Sequence, residues 1–377
     1  MRKLATIQKI NKICEIPGAD NIVCATVLGW EIIIRKEDFK EGDKCIYVEI
    51  DSVLPPWPDF EFMKSRKYRI KTIKLRGHIS QGICFPLSIL SVPIKQVDSY
   101  PEGHDVTDIM NIKKYDPQAN AEAKELENRT KIEKSRIHKY FMRHSWFKKL
   151  TSYRSMVWPQ FIRKTDEERI QSHPEWIDEI RGKEVYITEK LDGCSATYYC
   201  IKNKGLSRLW KPYIWGICSR NKNVTEKYQN KHIGTNVYKE IAESCHIKAK
   251  LLSAIKFLYP IKQYVYIQGE IIGPKVQGNK YNIINHLFYV FNVNVDGRFL
   301  LPYHRWEFIK SINLRDVPFI AFLTLKENEG IPELVNYADR TSKIHKIPME
   351  GVILRTVDEK TSFKVINPKF LLQYEND

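Results

Sequence analysis

The sequence predicts an α+β protein: a small all-β domain of barrel type, a basic helical segment, and a larger domain of mixed antiparallel strands with helices. Three observations carry this. Short apolar, β-branched runs separated by turn residues fill roughly the first 110 of 377 residues. From about 111 to 160 the chain turns helix-forming and strongly cationic. From about 182 onward, strand-like alternation returns, interrupted by one helical stretch. The expected domains are therefore 1–110, 111–160 as a linker or insertion, and 161–377.

Within the first domain, Ile22–Ile34 and Cys45–Ile50 are apolar runs, bounded by turns at Pro17-Gly18-Ala19-Asp20 and Glu41-Gly42-Asp43. The stretch 51–56 breaks the pattern, and Tyr68–Leu75 alternates basic with apolar residues. Several short strands in about 100 residues, one with a basic face, suit an OB-like barrel. An SH3-like barrel fits the pattern equally well. Residues 119–127 form a helix by propensity, and Thr165-Asp166-Glu167-Glu168 reads as a capping box that starts another. Glu184–Glu189 and Ser195–Ile201 flank Asp192-Gly193, so Lys190 is expected where a strand enters a hairpin. A helix is expected over 236–258. Lys262–Ile271 alternates, with Val265, Ile267 and Ile271 on one face and Tyr264, Tyr266, Gln268 and Glu270 on the other. Leu287–Val293 follows as a strand, and Gly351–Val357 and Ser362–Ile366 make a hairpin.

Composition narrows the function. With 43% hydrophobic and 28% charged residues the chain is globular. No secretory leader follows Met1-Arg2-Lys3, and no apolar stretch nears the roughly 18 residues of a membrane-spanning helix, so no membrane partner is expected. Eight scattered cysteines without a C-x-x-C pair, and ten histidines without ligand spacing, indicate neither disulfides nor zinc. The expected compartment is intracellular, cytoplasmic or nuclear. A net charge of +16 and a pI near 9.3 favour a polyanionic partner through counterion release. Between 131 and 154 eight cations face a single acid, Glu133, and from Lys64 to Arg76 seven cations face none.

The chemistry centres on Lys190-Leu191-Asp192-Gly193. A lysine nucleophile is protonated at neutral pH, so attack on phosphorus needs a depressed pKa, for which neighbouring cations and burial are the expected means. Arg220 in Ser219-Arg220-Asn221, Glu270 in Gly269-Glu270-Ile271, Glu350 before Gly351 and Lys364 between Phe363 and Val365 supply carboxylates for hydrated magnesium and cations for a triphosphate. Taken singly, each is an ordinary strand residue.

Taken in order over about 175 residues, K-x-D-G, S-R-N, G-E-x-x-G, F-Y-V-F, E-G-V-x-L and F-K-V resemble the covalent nucleotidyltransferase superfamily of ligases and mRNA capping enzymes. The stretches 269–279, 288–292 and 164–171 are most similar to its RNA ligase 2-like branch, and 51–56 with 74–82 resemble the N-terminal OB domain of RNA ligase family five. Only 111–160 has no counterpart. The resemblance implies an ATP-dependent RNA ligase acting in RNA repair. It joins 3′-hydroxyl and 5′-phosphate ends through AMP covalently held on Lys190. Glu189 would read the adenine amino group, Phe291 would stack on adenine, and Arg220 would bind ribose and phosphate. Lys364 would contact the α-phosphate, while Asp192, Glu270 and Glu350 would hold Mg²⁺ or Mn²⁺ through waters. One departure stands out: many ligases end the pattern with K-x-K, and the second position here is Ile366. RNA as a nicked duplex or broken ends is the implied partner, with mixed RNA/DNA junctions a further candidate, and the protein is expected to act as a monomer. The alternatives are a capping guanylyltransferase using GTP, a DNA ligase, and a nucleic-acid-binding protein with an inactive nucleotide pocket.

Overall fold

A computed structural model describes residues 3–90, 99–115, 158–224 and 236–374. The expected helix at 119–127 and the cationic run 131–154 lie outside these residues. The described chain forms two compact units. In the first, β1 (Ala5–Lys9), β5 (Lys44–Val48) and β9 (Ile83–Phe85) pair antiparallel, and β2 (Lys12–Glu15), β3 (Ile22–Val27) and β4 (Trp30–Arg35) form a meander. β6 (Ser52–Val53) pairs with β10 (Lys113–Lys114), and β7 (Thr72–Leu75) with β8 (His78–Gln81). Alternation sets the faces: Val23, Ala25, Val27, Trp30, Ile32 and Ile34 point into one core. The Ile33 amide donates to Ser80 Oγ at 3.0 Å, tying β4 to β8. The same unit contains the short segment Ile170–Glu175 and the C-terminal helix Pro368–Tyr374. Gly29 N–H donates to the Gln171 carbonyl at 2.9 Å, anchoring that segment on the β3–β4 turn.

The second unit is built on two antiparallel sheets. One has the order β19 (Phe319–Thr324), β11 (Glu184–Lys190), β20 (Gly351–Thr356), β21 (Ser362–Ile366). The other has the order β14 (Asn223–Val224), β13 (Tyr213–Ser219), β12 (Cys194–Lys202), β15 (Tyr264–Ile272), β16 (Leu287–Val295), β17 (Arg298–Phe299), with β18 (Arg315–Asp316) parallel to β16. The helices are α1 (Trp176–Ile180), α2 (Val237–Ser244), α3 (Ile247–Ser253), α4 (Pro302–Ser311) and α5 (Ile331–Ala338). Val265, Ile267 and Ile271 of β15 pack with Ile241, Leu251 and Phe308 of the helices, while Tyr266 packs on the opposite face with Ile162 and Tyr199. Both faces of the larger sheet are thus covered. The β20–β21 hairpin forms with Gly351 opposite Ile366.

Three expectations are corrected. β11 and β12 are not a hairpin: they belong to different sheets, and Leu191-Asp192-Gly193 crosses between them. The turn signal was real, but each strand finds longer partners elsewhere, β11 on β19 and β20, β12 on β13 and β15. No helix starts at Thr165; 163–168 is irregular, followed by a short 3₁₀ turn at Ile170–Ser172. Its acids serve long-range partners instead. Asp166 pairs with Arg220 at 3.1 Å and Lys364 at 3.5 Å, Glu167 accepts from Arg355 at 2.9 Å, and the Glu168 carbonyl accepts the Lys364 amide at 2.8 Å. The helical stretch 236–258 breaks at Cys245-His246, where His246 adopts a left-handed φ of 51°, and ends in a π turn, Ala254–Leu258. All eight cysteines are free thiols. Among the described residues no helix is long and apolar enough to cross a membrane.

Candidate active site

β11 delivers Glu189 and Lys190 to one end of its sheet. Both neighbours fix the approach, since Lys190 pairs with Gly351 of β20 and the Glu189 amide donates to the Pro318 carbonyl at 2.9 Å. The chain then leaves this sheet through a connection that only glycine permits at its third residue. A Cβ on Gly193 would lie 2.3 Å from the Ile271 carbonyl oxygen and 2.9 Å from Glu270 Cγ. The close crossing brings Glu270 of β15 up against Lys190, and the residue before β20 places Glu350 there as well. The Lys190 ammonium donates to Glu350 Oε1. Asp192, two residues beyond, is gripped twice: its carboxylate receives the Lys280 ammonium at 2.5 Å, and its amide donates to the Tyr281 hydroxyl at 2.9 Å.

Glu189 faces the other way. It is only 1% exposed. Its Oε2 accepts the Lys343 amide at 2.9 Å, and its Oε1 is buried without a hydrogen-bond partner. An unpaired buried acceptor is costly, so it points to a ligand donor such as an exocyclic amine. Beside it an apolar group gathers Leu191, Ile272, Tyr281 and Val317, with Tyr289, Phe291, Ile344 and Ile347 packed against them. Phe291 is therefore placed to offer a ring to a base bound near Glu189. Two buried arginines hold its backbone, Arg305 from α4 and Arg355 from β20. Arg305 donates to the Phe291 carbonyl at 3.2 Å and Arg355 at 3.0 Å.

Arg220 lies just past β13 and Lys364 within β21, so they reach the site from different sheets, and Asp166 bridges them. Arg220, 46% exposed on its side chain, is the more open of the two. Ile366 shares the Lys364 face of β21 but is buried beside Gly351.

The electrostatics correct one expectation. The groups nearest Lys190 are carboxylates, so its pKa is not depressed in the ligand-free protein. Burial pulls it down, but Glu350, then Glu270 and Asp192, outweigh burial and hold it above the ordinary lysine value. The acids are strained in the opposite sense. Burial, opposed by Lys190 but reinforced by Glu350 and Asp192, pushes Glu270 up to about 8. Burial and Glu350 push Asp192 up to about 6 against the pull of Lys280. Two carboxylates that resist ionising, Asp192 and Glu270, beside Glu350 with its Oε2 buried and unpartnered, suit a divalent cation. Among the described residues no set of three or more His, Cys, Asp or Glu is arranged to grip an ion directly.

The structure thus brings Lys190, Asp192, Glu270 and Glu350 together, with Glu189 beside the apolar group that includes Phe291, and Arg220 and Lys364 joined through Asp166. Sequence reasoning missed Asp166, Lys280, Tyr281, Arg305 and Arg355. Only Asp166 carried a local signal: it lies in an expected helix start and in the 164–171 stretch that resembles the RNA ligase 2-like branch, neither of which gave its partners.

Two family models match the chain. Residues 4–87 match a family model described as an OB-fold domain, and residues 183–366 match one described as RNA ligase. No curated protein gives a significant match. Among solved structures, the Naegleria gruberi RNA ligase with PPi is 28% identical, covers 100% of both chains and superposes with a TM-score of 0.76. A mutant of that ligase with ATP and Mn is 27% identical over 100% of both chains, again with a TM-score of 0.76. An apo mutant is 28% identical over 100% of this chain and 99% of that one, at 0.76. The chain thus carries an RNA ligase domain over residues 183–366, with an OB-fold domain ahead of it.

Proposed function

We propose that this protein uses ATP to join a 3′-hydroxyl to a 5′-phosphate on RNA, through AMP carried on Lys190, and that it acts in RNA repair. The observation that supports this most is the pairing of two features at the end of β11: Lys190 among three carboxylates, and next to it an orphaned carboxylate oxygen of Glu189 facing an apolar wall. In the first step the Lys190 Nζ lone pair attacks the α-phosphorus of ATP, the bond to the β-phosphate oxygen breaks, and pyrophosphate leaves. Nζ must shed a proton, and Glu350 Oε1 is the acceptor already in contact with it. Magnesium or manganese, held through waters by Asp192, Glu270 and Glu350, would neutralise these acids and the phosphates and so lower the Lys190 pKa. Arg220 and Lys364 exchange their shared partner Asp166 for phosphate and ribose oxygens.

AMP then passes from Nζ to the 5′-phosphate, and the 3′-hydroxyl displaces it. The chain's contribution to each step is placement and charge stabilisation. The domain division at 1–110, 111–160 and 161–377 is part of this reading, except that Ile170–Glu175 and Pro368–Tyr374 fold with the first domain, and the first two segments engage RNA. The protein is proposed to work as a monomer inside the cell, on nicked duplexes or broken ends, mixed RNA/DNA junctions included.

Nucleotide competition tests the base reading. With α-labelled ATP and GTP supplied separately, ATP should label the protein far better, because guanine offers Glu189 no amine at the corresponding position and leaves it unpaired. Equal labelling would favour capping chemistry. Sealing assays on RNA, DNA and mixed nicks would then rank the substrates, and preference for an all-DNA nick would contradict the RNA reading.

A further inference from the structure

We propose that Lys280 is a second phosphate-binding cation of this site, parked on Asp192 until ATP arrives. The proposal rests on the reading of Lys190 as the adenylated residue. Lys280 comes from the connection between β15 and β16, outside every sequence motif that pointed to the site. Its ammonium lies 2.5 Å from Asp192 Oδ2, with 20% of its side chain and 16% of the aspartate's exposed.

The connection is a rigid mount. The Val276 amide donates to the Gly273 carbonyl at 3.1 Å, and Asn279 both donates to the Ile283 carbonyl at 3.0 Å and accepts its amide at 3.2 Å. Tyr281, next to Lys280, is 1% exposed and takes the Asp192 amide on its hydroxyl. Consecutive residues therefore hold the backbone and the side chain of Asp192. This fixes the ammonium beside the connection that follows the nucleophile.

Charge accounting gives Lys280 its role. Lys190 with Glu350 and Lys280 with Asp192 are neighbouring ion pairs at one end of the two sheets. ATP must bring its α-phosphate within bonding distance of Lys190 Nζ, two residues from Asp192. Its phosphate charge then enters a site already holding Asp192, Glu270 and Glu350. β21 offers only one cation to meet it, since Lys364 shares its face with the buried Ile366 rather than a second lysine. Lys280 supplies another from the opposite sheet. An ammonium carries three donors, so Lys280 can hold Asp192 and a phosphate oxygen together.

Binding measurements separate this role from loop architecture. The Lys190→Met variant, which cannot form the covalent bond, serves as the parent for titrations with Mg-ATP and with adenosine. Adding Lys280→Met should weaken ATP binding about tenfold or more, the loss of a charge-assisted hydrogen bond, and leave adenosine binding within about twofold. Lys280→Arg should keep ATP affinity within about threefold, since it retains the charge. Unchanged ATP affinity in the Lys280→Met variant would overturn the proposal, and so would an equal loss of ATP and adenosine, which marks a collapsed pocket. Covalent labelling of the wild-type protein by α-labelled ATP is the control. If it is absent the Lys190 reading fails; if it is present and Lys280→Met binds ATP normally, only the role of Lys280 does.

Discussion

The carboxylates around Lys190 are held at a cost in the ligand-free protein, and that cost has a sign. Glu270, pushed up to about 8, keeps a proton that the unfolded chain has already released above its ordinary value of about 4.5. The folded state thus binds more protons across that window, so stability falls as pH climbs through it. Asp192, raised to about 6, adds to the same trend at lower pH. Lys190 behaves differently: its raised pKa stabilises the fold below the ordinary lysine value and up towards its own, outside this window. Replacing Glu270 with Gln should therefore raise the melting temperature of ligand-free protein at pH 8 by a few degrees, have little effect at pH 5, and remove adenylation. Calorimetry at both pH values checks it, and a destabilised variant at pH 8 would contradict the charge account. The acids themselves were legible, because each sits in a short motif. Lys280, Tyr281 and Asp166 were not, because their partners lie 88, 89 and 54 residues away in sequence and only the fold brings them together.

At the scale of elements, the crossing at Leu191-Asp192-Gly193 explains why a turn-like sequence was misread. A hairpin and a crossing between sheets both need a small residue after Asp192, and local sequence does not record which strand pairs with which. Thr165-Asp166-Glu167-Glu168 shows the same limit, since three ion pairs outbid one helix cap. Strand periodicity, by contrast, was informative: the alternation along β15 separates the Ile267 core from the Tyr266 core as expected. The crossing gives a direct test. Gly193→Ala forces a Cβ to within 2.3 Å of a backbone oxygen, so the connection after β11 must move away from β15. The variant should lose about 1–3 kcal/mol of stability and adenylate more slowly than its stability loss explains. Full adenylation in a folded variant would mean that the approach of Glu270 to Lys190 is not needed.

For the whole molecule, the chain order conceals how the units are composed. The C-terminal helix Pro368–Tyr374, with Phe370 and Leu371 buried, belongs to the N-terminal unit. Deleting residues 1–110 alone would strip that helix of its packing, so a deletion that also ends at Asn367 should stay monodisperse where one retaining the C-terminus aggregates, as light scattering would show. Equal behaviour of the two would argue that the helix has no dependence on its unit. The cationic run 131–154, legible only as charge, is proposed to hold the RNA backbone. Replacing Arg136, Lys139, Arg143 and Lys148 together should spare adenylation and flatten the salt dependence of RNA binding by about 0.7–0.9 in log–log slope per lost phosphate contact. An unchanged slope would mean the run is merely solvated. The claim on which all of this depends is that Lys190 carries AMP. Incubation with α-labelled ATP and magnesium should leave label on the wild-type chain, stable to alkali and labile to acid as a phosphoramidate is, and Lys190→Ala should carry none. Label at the wild-type level on the Lys190→Ala chain would contradict it.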